Sequence, residues 1–237
     1  MDPEKTLGVV ISATTVPASS LTPEPPTTQQ HGPPQPQSKD NVNIEISPAS
    51  YADDARFVQA LTDVVNVVYL EAEAGIFNEG YQRTTASGIA DLLRAGQLAV
   101  AFLSEPKTST SPITPNSESG SDDSRRPIGC VCIKRLSDTH GEFGMLALAA
   151  SHRGGGLGRD LAQFAEARCR GLGLKVMRLE LLVPTFYENA SKVRIQGWYE
   201  RMGYRVVRLQ DFGEEYPHLA GFLAGPTEYR VFEKSLV

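Results

Sequence analysis

The chain has 237 residues, of which 41% are hydrophobic and 22% charged, so it can form one domain with a substantial core but hardly two large ones. Its 28 acidic and 23 basic residues give a formal net charge of -5, which argues against a general nucleic-acid-binding surface. No apolar run approaches the roughly 18 residues that a membrane-spanning helix needs. Three cysteines are too few for a disulfide framework. We therefore expect a cytoplasmic or also nuclear protein with neither a nucleic-acid nor a membrane partner.

Two segments have compositions that do not favour a packed core. Residues 1–40 contain eight of the 16 prolines and no aromatic residue, so we predict a disordered Pro/Thr/Gln-rich tail. The short run 7–12 could instead pair as an edge strand. Residues 107–126 are rich in Ser, Thr and Asp and interrupt a pattern that resumes on both sides, which indicates a loop insertion. Residues 41–237 would then form one folded domain around that insertion.

The apolar spacing along the predicted domain alternates between the strand period and the helix period. The predicted strands cover residues 43–46, 97–103, 127–136, 142–149, 176–183, 204–209 and 227–234. Four longer helices are predicted. The first begins at a capping box formed by Ser50 and Asp53, and the second covers 85–95. The third begins at 157 and has Gly171 as its C-cap, and the fourth ends at Gly203. Meander strands come first and a strand–helix–strand–helix unit follows, which predicts a mixed α and β fold.

A glycine-rich turn separates the strand 142–149 from the helix that follows it. Residues 153–158 read Arg-Gly-Gly-Gly-Leu-Gly. A helix start has unpaired N–H groups and the positive end of the macrodipole, and glycines let a phosphate approach the backbone closely. Residues 153–178 also contain six basic residues against two acidic ones. The turn therefore suits a pyrophosphate, although a plain glycine loop beside a solvated helix face would have the same pattern.

The turn and a second motif together resemble a known family. Residues 153–158 are similar to the Arg/Gln-x-x-Gly-x-Gly/Ala pyrophosphate loop of the GNAT superfamily of acetyl-CoA-dependent N-acetyltransferases, and residues 198–204 (WYERMGY) resemble its later aromatic-Tyr-x-x-x-Gly-aromatic signature. The resemblance covers about residues 41–237. It implies an α/β (α+β type) GNAT fold: a mixed, mostly antiparallel, twisted sheet of six to seven strands, about four helices, and splayed strands at the cofactor site.

The resemblance also implies which residues act. Tyr199 is the expected general acid for the departing thiolate. Glu142 is the expected base, acting directly or through water, and Glu180 and His140 are alternative candidates for the base. Tyr199 could instead simply pack in the core, and Glu142 could face solvent. No metal is expected. The residues expected to bind acetyl-CoA are Leu148, Ala149, Ala150, Arg153, Gly154, Gly155, Gly156, Leu157, Gly158, Arg159, Asn189 and Lys192. Two departures affect this set, since Leu148-Ala149-Ala150 replaces a frequent Val-x-Pro and Lys192 stands where the family often has Asn.

The predicted function is therefore acetyl transfer from acetyl-CoA directly to a primary amine, of a small molecule. Direct transfer is expected because no Cys or Ser stands in an evident nucleophile arrangement. Asp211, Glu214 and Glu215 indicate a cationic acceptor, unless they form only an exposed acidic loop. A protein or peptide acetyltransferase and a non-catalytic CoA-binding regulatory module are the alternatives. The chain is expected to be a monomer or a homodimer.

Overall fold

The computed structural model describes residues 42–104 and 125–237, so the predicted tail and nearly all of the predicted insertion lie outside the described residues. One mixed sheet contains seven strands. The strands are β1 Val42–Ile46, β2 Leu98–Ser104, β3 Arg125–Arg135, β4 His140–Leu148, β5 Val176–Pro184, β6 Arg205–Gln210 and β7 Thr227–Ser235. The helices are α1 Ala55–Ala72, α2 Ala86–Arg94, α3 Leu157–Gly171, α4 Ala190–Arg201 and the short α5 Phe212–Glu215 and α6 Pro217–Ala220. The predicted fold class is confirmed.

The start of α1 differs from the prediction. Residues 49–53 form a 3-10 turn, and α1 begins only at Ala55. Asp54 is its N-cap, because its carboxylate accepts hydrogen bonds from the amides of Arg56 and Phe57 at 2.9 and 3.1 Å. The predicted capping box at Ser50 was therefore wrong, since an acidic cap four residues later satisfies the first amides of the helix.

Two other boundaries also shift. Gly171 lies inside α3, and Gly173, with φ of 77°, supplies the left-handed residue that follows the C-cap Leu172. Strand β3 begins at Arg125, two residues before the predicted strand, and Arg126 pairs with Leu103 of β2.

The strands follow the order β1-β2-β3-β4-β5-β7-β6, and only β4 and β5 are parallel neighbours. That pair is bonded only from His140–Glu142 to Val176–Arg178, although each strand has nine residues. The ladder between β3 and β4 changes register near Met145, whose φ is 48°. A bulge of this kind bends the strand and increases its twist. As a result β4 turns away from β5 and a gap opens in the middle of the sheet.

Helices cover both faces of the sheet. On one face α1 and α2 pack on β2, β3 and β4 through fully buried side chains such as Leu61 and Leu93. On the other face α3 packs through Leu161 and α4 through Tyr199. A third cluster lies under the β6–β7 connection, where Phe212 and Tyr216 contact β7. The helices in the described part of the chain are all too short or too polar to cross a membrane.

Candidate active site

The gap between β4 and β5 leads into a cleft of about 780 Å³. One end, which we call the loop end, is lined by Leu148, residues of 153–159 and the start of α4. The other end, the tyrosine end, is lined by Tyr69, Arg83, Glu180, Tyr216 and Tyr229. The cleft therefore extends along the splayed strands from the first turn of α3 to the connections α1–α2 and β6–β7.

The glycine turn leaves the start of α3 uncapped. Gly156 is the N-cap, has φ of 88° and offers no side-chain acceptor, and Gly154 has φ of 86°. Gly155 and Gly158 do not have a positive φ, and a Cβ added to either would meet no atom within 4 Å. Neither backbone conformation nor internal packing requires glycine at these two positions. Open space and unpaired amides at a helix N-terminus fit a phosphate group.

Backbone pairing distinguishes Leu148 from Ala149. The amide of Ala149 donates to the carbonyl of Ile128 at 2.9 Å, so it is already bonded across the sheet. Backbone groups alternate in direction along an antiparallel strand, so the amide of Leu148 points away from β3 and toward the gap. The Leu148 carbonyl accepts from Arg153 Nε at 3.0 Å, in agreement with that direction. Leu148 can thus offer its amide to a ligand, whereas Ala149 cannot.

The structure brings most of the predicted residues together. Those that line the cleft are Glu142, Leu148, Arg153, Gly154, Gly156, Gly158, Arg159, Lys192 and Tyr199. Ala149, Ala150, Gly155, Leu157 and Asn189 do not line it. Leu157 is buried in the core, and Asn189 caps α4 by accepting from the amides of Ser191 and Lys192. Ala150 accepts from the amide of Arg153 within a 3-10 turn, so it shapes the loop.

Lys192 makes an ion pair inside the protein. Its Nζ lies 3.0 Å from Glu73 Oε1, and both side chains are only 6% exposed. The pair joins the end of α1 to the first turn of α4 beside the cleft. A buried charge is costly unless a partner neutralises it, so Lys192 and Glu73 depend on each other.

Tyr199 is both a core residue and a cleft residue. Its ring contacts Phe143, Trp198, Tyr204 and Phe232, and the residue is 6% exposed. Burial raises the pKa of its phenol well above the usual value. Its hydroxyl is therefore protonated throughout the neutral pH range and can donate a proton or a hydrogen bond as a neutral group.

The carboxylates at the centre of the cleft differ in their surroundings. Glu142 Oε2 lies 3.6 Å from Arg178 Nε, and its side chain is 18% exposed. Glu180 accepts hydrogen bonds from Arg178, from Tyr229 and from the Tyr216 hydroxyl at 3.1 Å. Glu180 is therefore surrounded by donors, while Glu142 keeps access to the cleft.

Two other sequence-based hypotheses place residues outside the cleft. His140 bonds Thr139 at 2.8 Å and is not a lining residue. The acidic residues of the β6–β7 connection do not line the cleft either, because Asp211 caps α5 and Glu215 accepts from Gln210. The cationic acceptor that they indicated therefore has no support in the geometry. No three His, Cys, Asp or Glu side chains of residues 42–104 and 125–237 are grouped so that they could hold a metal ion.

Sequence analysis missed the residues that α1 and the α1–α2 connection contribute. Tyr69, Glu73 and Arg83 all line the cleft, and the Arg83 guanidinium lies 4.5 Å from the centre of the Tyr69 ring. Tyr69 could have been found, because it follows Val65 at helical spacing on the buried stripe of α1. No sequence pattern indicated that Arg83 belongs to the site, because it lies in a connection without a regular hydrophobic period.

The comparisons with known proteins agree with this architecture. Residues 121–206 match the model of a family described as an acetyltransferase (GNAT) domain. No curated protein matches the chain. Among solved structures, the PaiA N-acetyltransferase of Thermoplasma acidophilum with coenzyme A is 16% identical, with a TM-score of 0.53 over 82% of this chain and 98% of that one. The NatC complex bound to Gag peptide and CoA is 16% identical, with a TM-score of 0.51 over 83% and 99%. At these identities the likeness establishes the fold.

Proposed function

We propose that this chain, which carries an acetyltransferase domain of the GNAT family, transfers an acetyl group directly from acetyl-CoA to a primary amine of a small molecule. The observation that carries the proposal is the uncapped N-terminus of α3, which opens into the same cleft as Tyr199 and Glu142. A phosphate-binding end and a proton-handling end are thus joined by splayed strands. This arrangement supports transfer from a phosphate-bearing carrier to an acceptor.

The loop end fits the carrier. The amides of residues 156–159 and the side chain of Arg159 would bind the pyrophosphate, with Arg153 holding the loop through Leu148 and Glu71. The Leu148 amide would bind the pantetheine arm in the gap, as a strand would. When bound, acetyl-CoA supplies an acetyl group activated as a thioester. Lys192 lies at this end, but its charge is already paired with Glu73.

Two side chains would handle protons. Tyr199 stays protonated and would donate to the sulfur as it leaves. Glu142 would accept the proton of the amine, directly or through a water molecule, while Arg178 holds its carboxylate in place. Glu73 is a second carboxylate in the cleft, and its Oε2 has no hydrogen-bond partner in the described residues.

The thiol in the cleft does not support a covalent route. Cys132 lines the cleft, but burial raises its pKa to about 11. It is a thiol and not a thiolate at neutral pH, and the thiolate is the nucleophile. Direct attack by the amine is therefore the simpler mechanism.

Replacing Tyr199 tests the proposed acid. Tyr199→Phe should lower kcat by about 10²-fold, since a positioned acid contributes roughly that factor. Its affinity for CoA should stay within about threefold of the parent, because the ring and its packing remain. Release of free CoA thiol with an amine present measures kcat, and calorimetry measures affinity.

Cys132→Ala is the matched control, because it removes a cleft side chain that the direct mechanism does not use. It should keep kcat within about fivefold of the parent, apart from any loss of folded protein. If Cys132→Ala were inactive and Tyr199→Phe fully active, a covalent acyl-cysteine route would replace the proposed one.

The alternative functions differ in what acetyl-CoA does after binding. A panel of small amines and of peptides with free N-termini or lysines would separate a small-molecule enzyme from a protein or peptide acetyltransferase. A protein that binds acetyl-CoA but releases no CoA with any member of the panel would instead be a CoA-binding module.

A further inference from the structure

We propose that the acceptor amine carries a carboxylate, and that Arg83 binds this carboxylate at the tyrosine end of the cleft. The inference rests on the proposed function, since it names the class of acceptor. It reverses the sequence-based expectation of a cationic acceptor, which depended on residues that lie outside the cleft.

The first observation is that Arg83 is a cation without a carboxylate partner among the described residues. It lines the cleft, is half-buried and stacks on the ring of Tyr69. Its Nε is buried and forms no hydrogen bond with the described residues. A guanidinium removed from water in this way is costly unless an anion or acceptors face it. The site therefore favours an anionic ligand.

The second observation is that the carboxylates lining the cleft in the described part of the chain already have cationic partners. Glu71 pairs with Arg153 and Glu73 with Lys192, whereas Glu142 and Glu180 share Arg178. The groups whose charges act on Arg83 are Glu73 and the phenols of Tyr69, Tyr81 and Tyr229. The carboxylate among them, Glu73, is paired with Lys192. Arg83 itself forms no ion pair with any of these carboxylates in the described part of the chain.

The third observation concerns the donor that a ligand would meet at Arg83. The Tyr81 hydroxyl is buried and interacts with Arg83, but Tyr81 does not line the cleft, so the donor offered to a ligand is the guanidinium itself. A guanidinium presents two parallel N–H groups, which match the two oxygens of a carboxylate. A carboxylate at this point would satisfy Arg83 Nε.

The position of Arg83 also suits an anchor for a small acceptor. Arg83 lines the same cleft as Tyr199 and Glu142. An acceptor held by its carboxylate at Arg83 would therefore present its amine toward Tyr199 and Glu142.

Matched pairs of acceptors test the proposal. Glycine, leucine, phenylalanine and glutamate are each compared with the corresponding C-terminal amide, using kcat/KM for CoA release. The amide is intrinsically the better nucleophile at neutral pH, since loss of the nearby negative charge lowers the pKa of its amine. A preference for the free acid must therefore come from binding. We expect kcat/KM for the best amino acid to exceed that for its amide by about 10- to 100-fold, as for the loss of a hydrogen-bonded charge pair.

Three variants identify the group responsible. Arg83→Gln should bring the acid-to-amide ratio close to 1, and Arg83→Lys should keep part of it because the charge remains. Arg56→Gln, on an exposed arginine of α1, should leave the ratio at the parent value. Thermal melting of each variant shows whether it is folded. A parent ratio of 1 or less, or a ratio unchanged in folded Arg83→Gln, would overturn the proposal.

A binding measurement separates failure of this inference from failure of the proposed function. N-acetylleucine and N-acetylleucinamide, with the corresponding pairs from the other three amino acids, are titrated into the CoA-loaded protein by calorimetry. If no amine is acetylated, the proposed transferase activity fails, whereas Arg83-dependent tighter binding of an N-acetyl acid would still support the carboxylate site. If amines are acetylated and neither readout prefers the acid, only the carboxylate site is rejected.

Discussion

Gly158→Asp is expected to weaken the binding of CoA by about 100-fold or more while the fold stays intact. Gly158 lies in the first turn of α3 and lines the cleft, and a Cβ added there would meet no atom within 4 Å. The new carboxylate would meet the pyrophosphate and take up the amides that should bind it, each charge-assisted bond contributing about 1.5–3 kcal/mol. Calorimetric titration with CoA measures the loss of affinity.

The helix itself should tolerate this substitution. An acidic side chain near a helix N-terminus interacts favourably with the macrodipole, so melting of the apo protein should be unchanged or slightly higher. Gln163→Asp adds the same charge to an exposed position further along α3 and should change the affinity less than about threefold. Equal affinity in Gly158→Asp and the parent would show that the phosphate does not bind at the start of α3.

Lys192→Met is expected to lower the free energy of unfolding by about 3–5 kcal/mol, because it leaves the Glu73 charge buried without a partner. Both side chains are only 6% exposed, and the pair connects α1 with α4. Urea unfolding followed by circular dichroism measures the change. Lys175→Met, at an exposed lysine, should cost no more than about 0.5 kcal/mol.

Removing both charges distinguishes a buried ion pair from simple packing. The double variant Lys192→Met with Glu73→Met should recover most of the lost stability, since a buried pair can often be replaced by apolar residues at little cost. If the losses of unfolding free energy caused by the two single substitutions simply added up in the double variant, the charges would act independently.

The sequence predicted those parts of the fold that depend on neighbouring residues. Strand and helix periods placed all seven strands within a few residues, and the glycine turn was recognised because its pattern is contiguous. The helix that begins in the acidic run after β6 was not predicted, although Asp211 and Glu214 stand at the spacing of a helix N-cap signature. The Asp211 carboxylate accepts from the backbone of α5 and so is not free to select an acceptor.

The site residues that the sequence did not reveal come from distant parts of the chain. Glu73 meets Lys192 across 119 residues, and Arg83 faces the cleft from a connection between two helices. Their proximity depends on how α1 packs against the sheet, and no local period encodes that packing.

The sequence by itself thus determined where the strands and helices lie along the chain and where the glycine loop precedes α3. Hydrophobic period and glycine placement act within a few residues. Only the tertiary structure decided which charges meet. The bulge at Met145 splays β4 from β5, and the resulting cleft collects side chains from α1, β4, β5 and α4. Ion pairing requires contact in space, so the sequence alone cannot show which cations are paired. The tertiary structure shows that Lys192 is paired and that Arg83 Nε has no partner among the described residues.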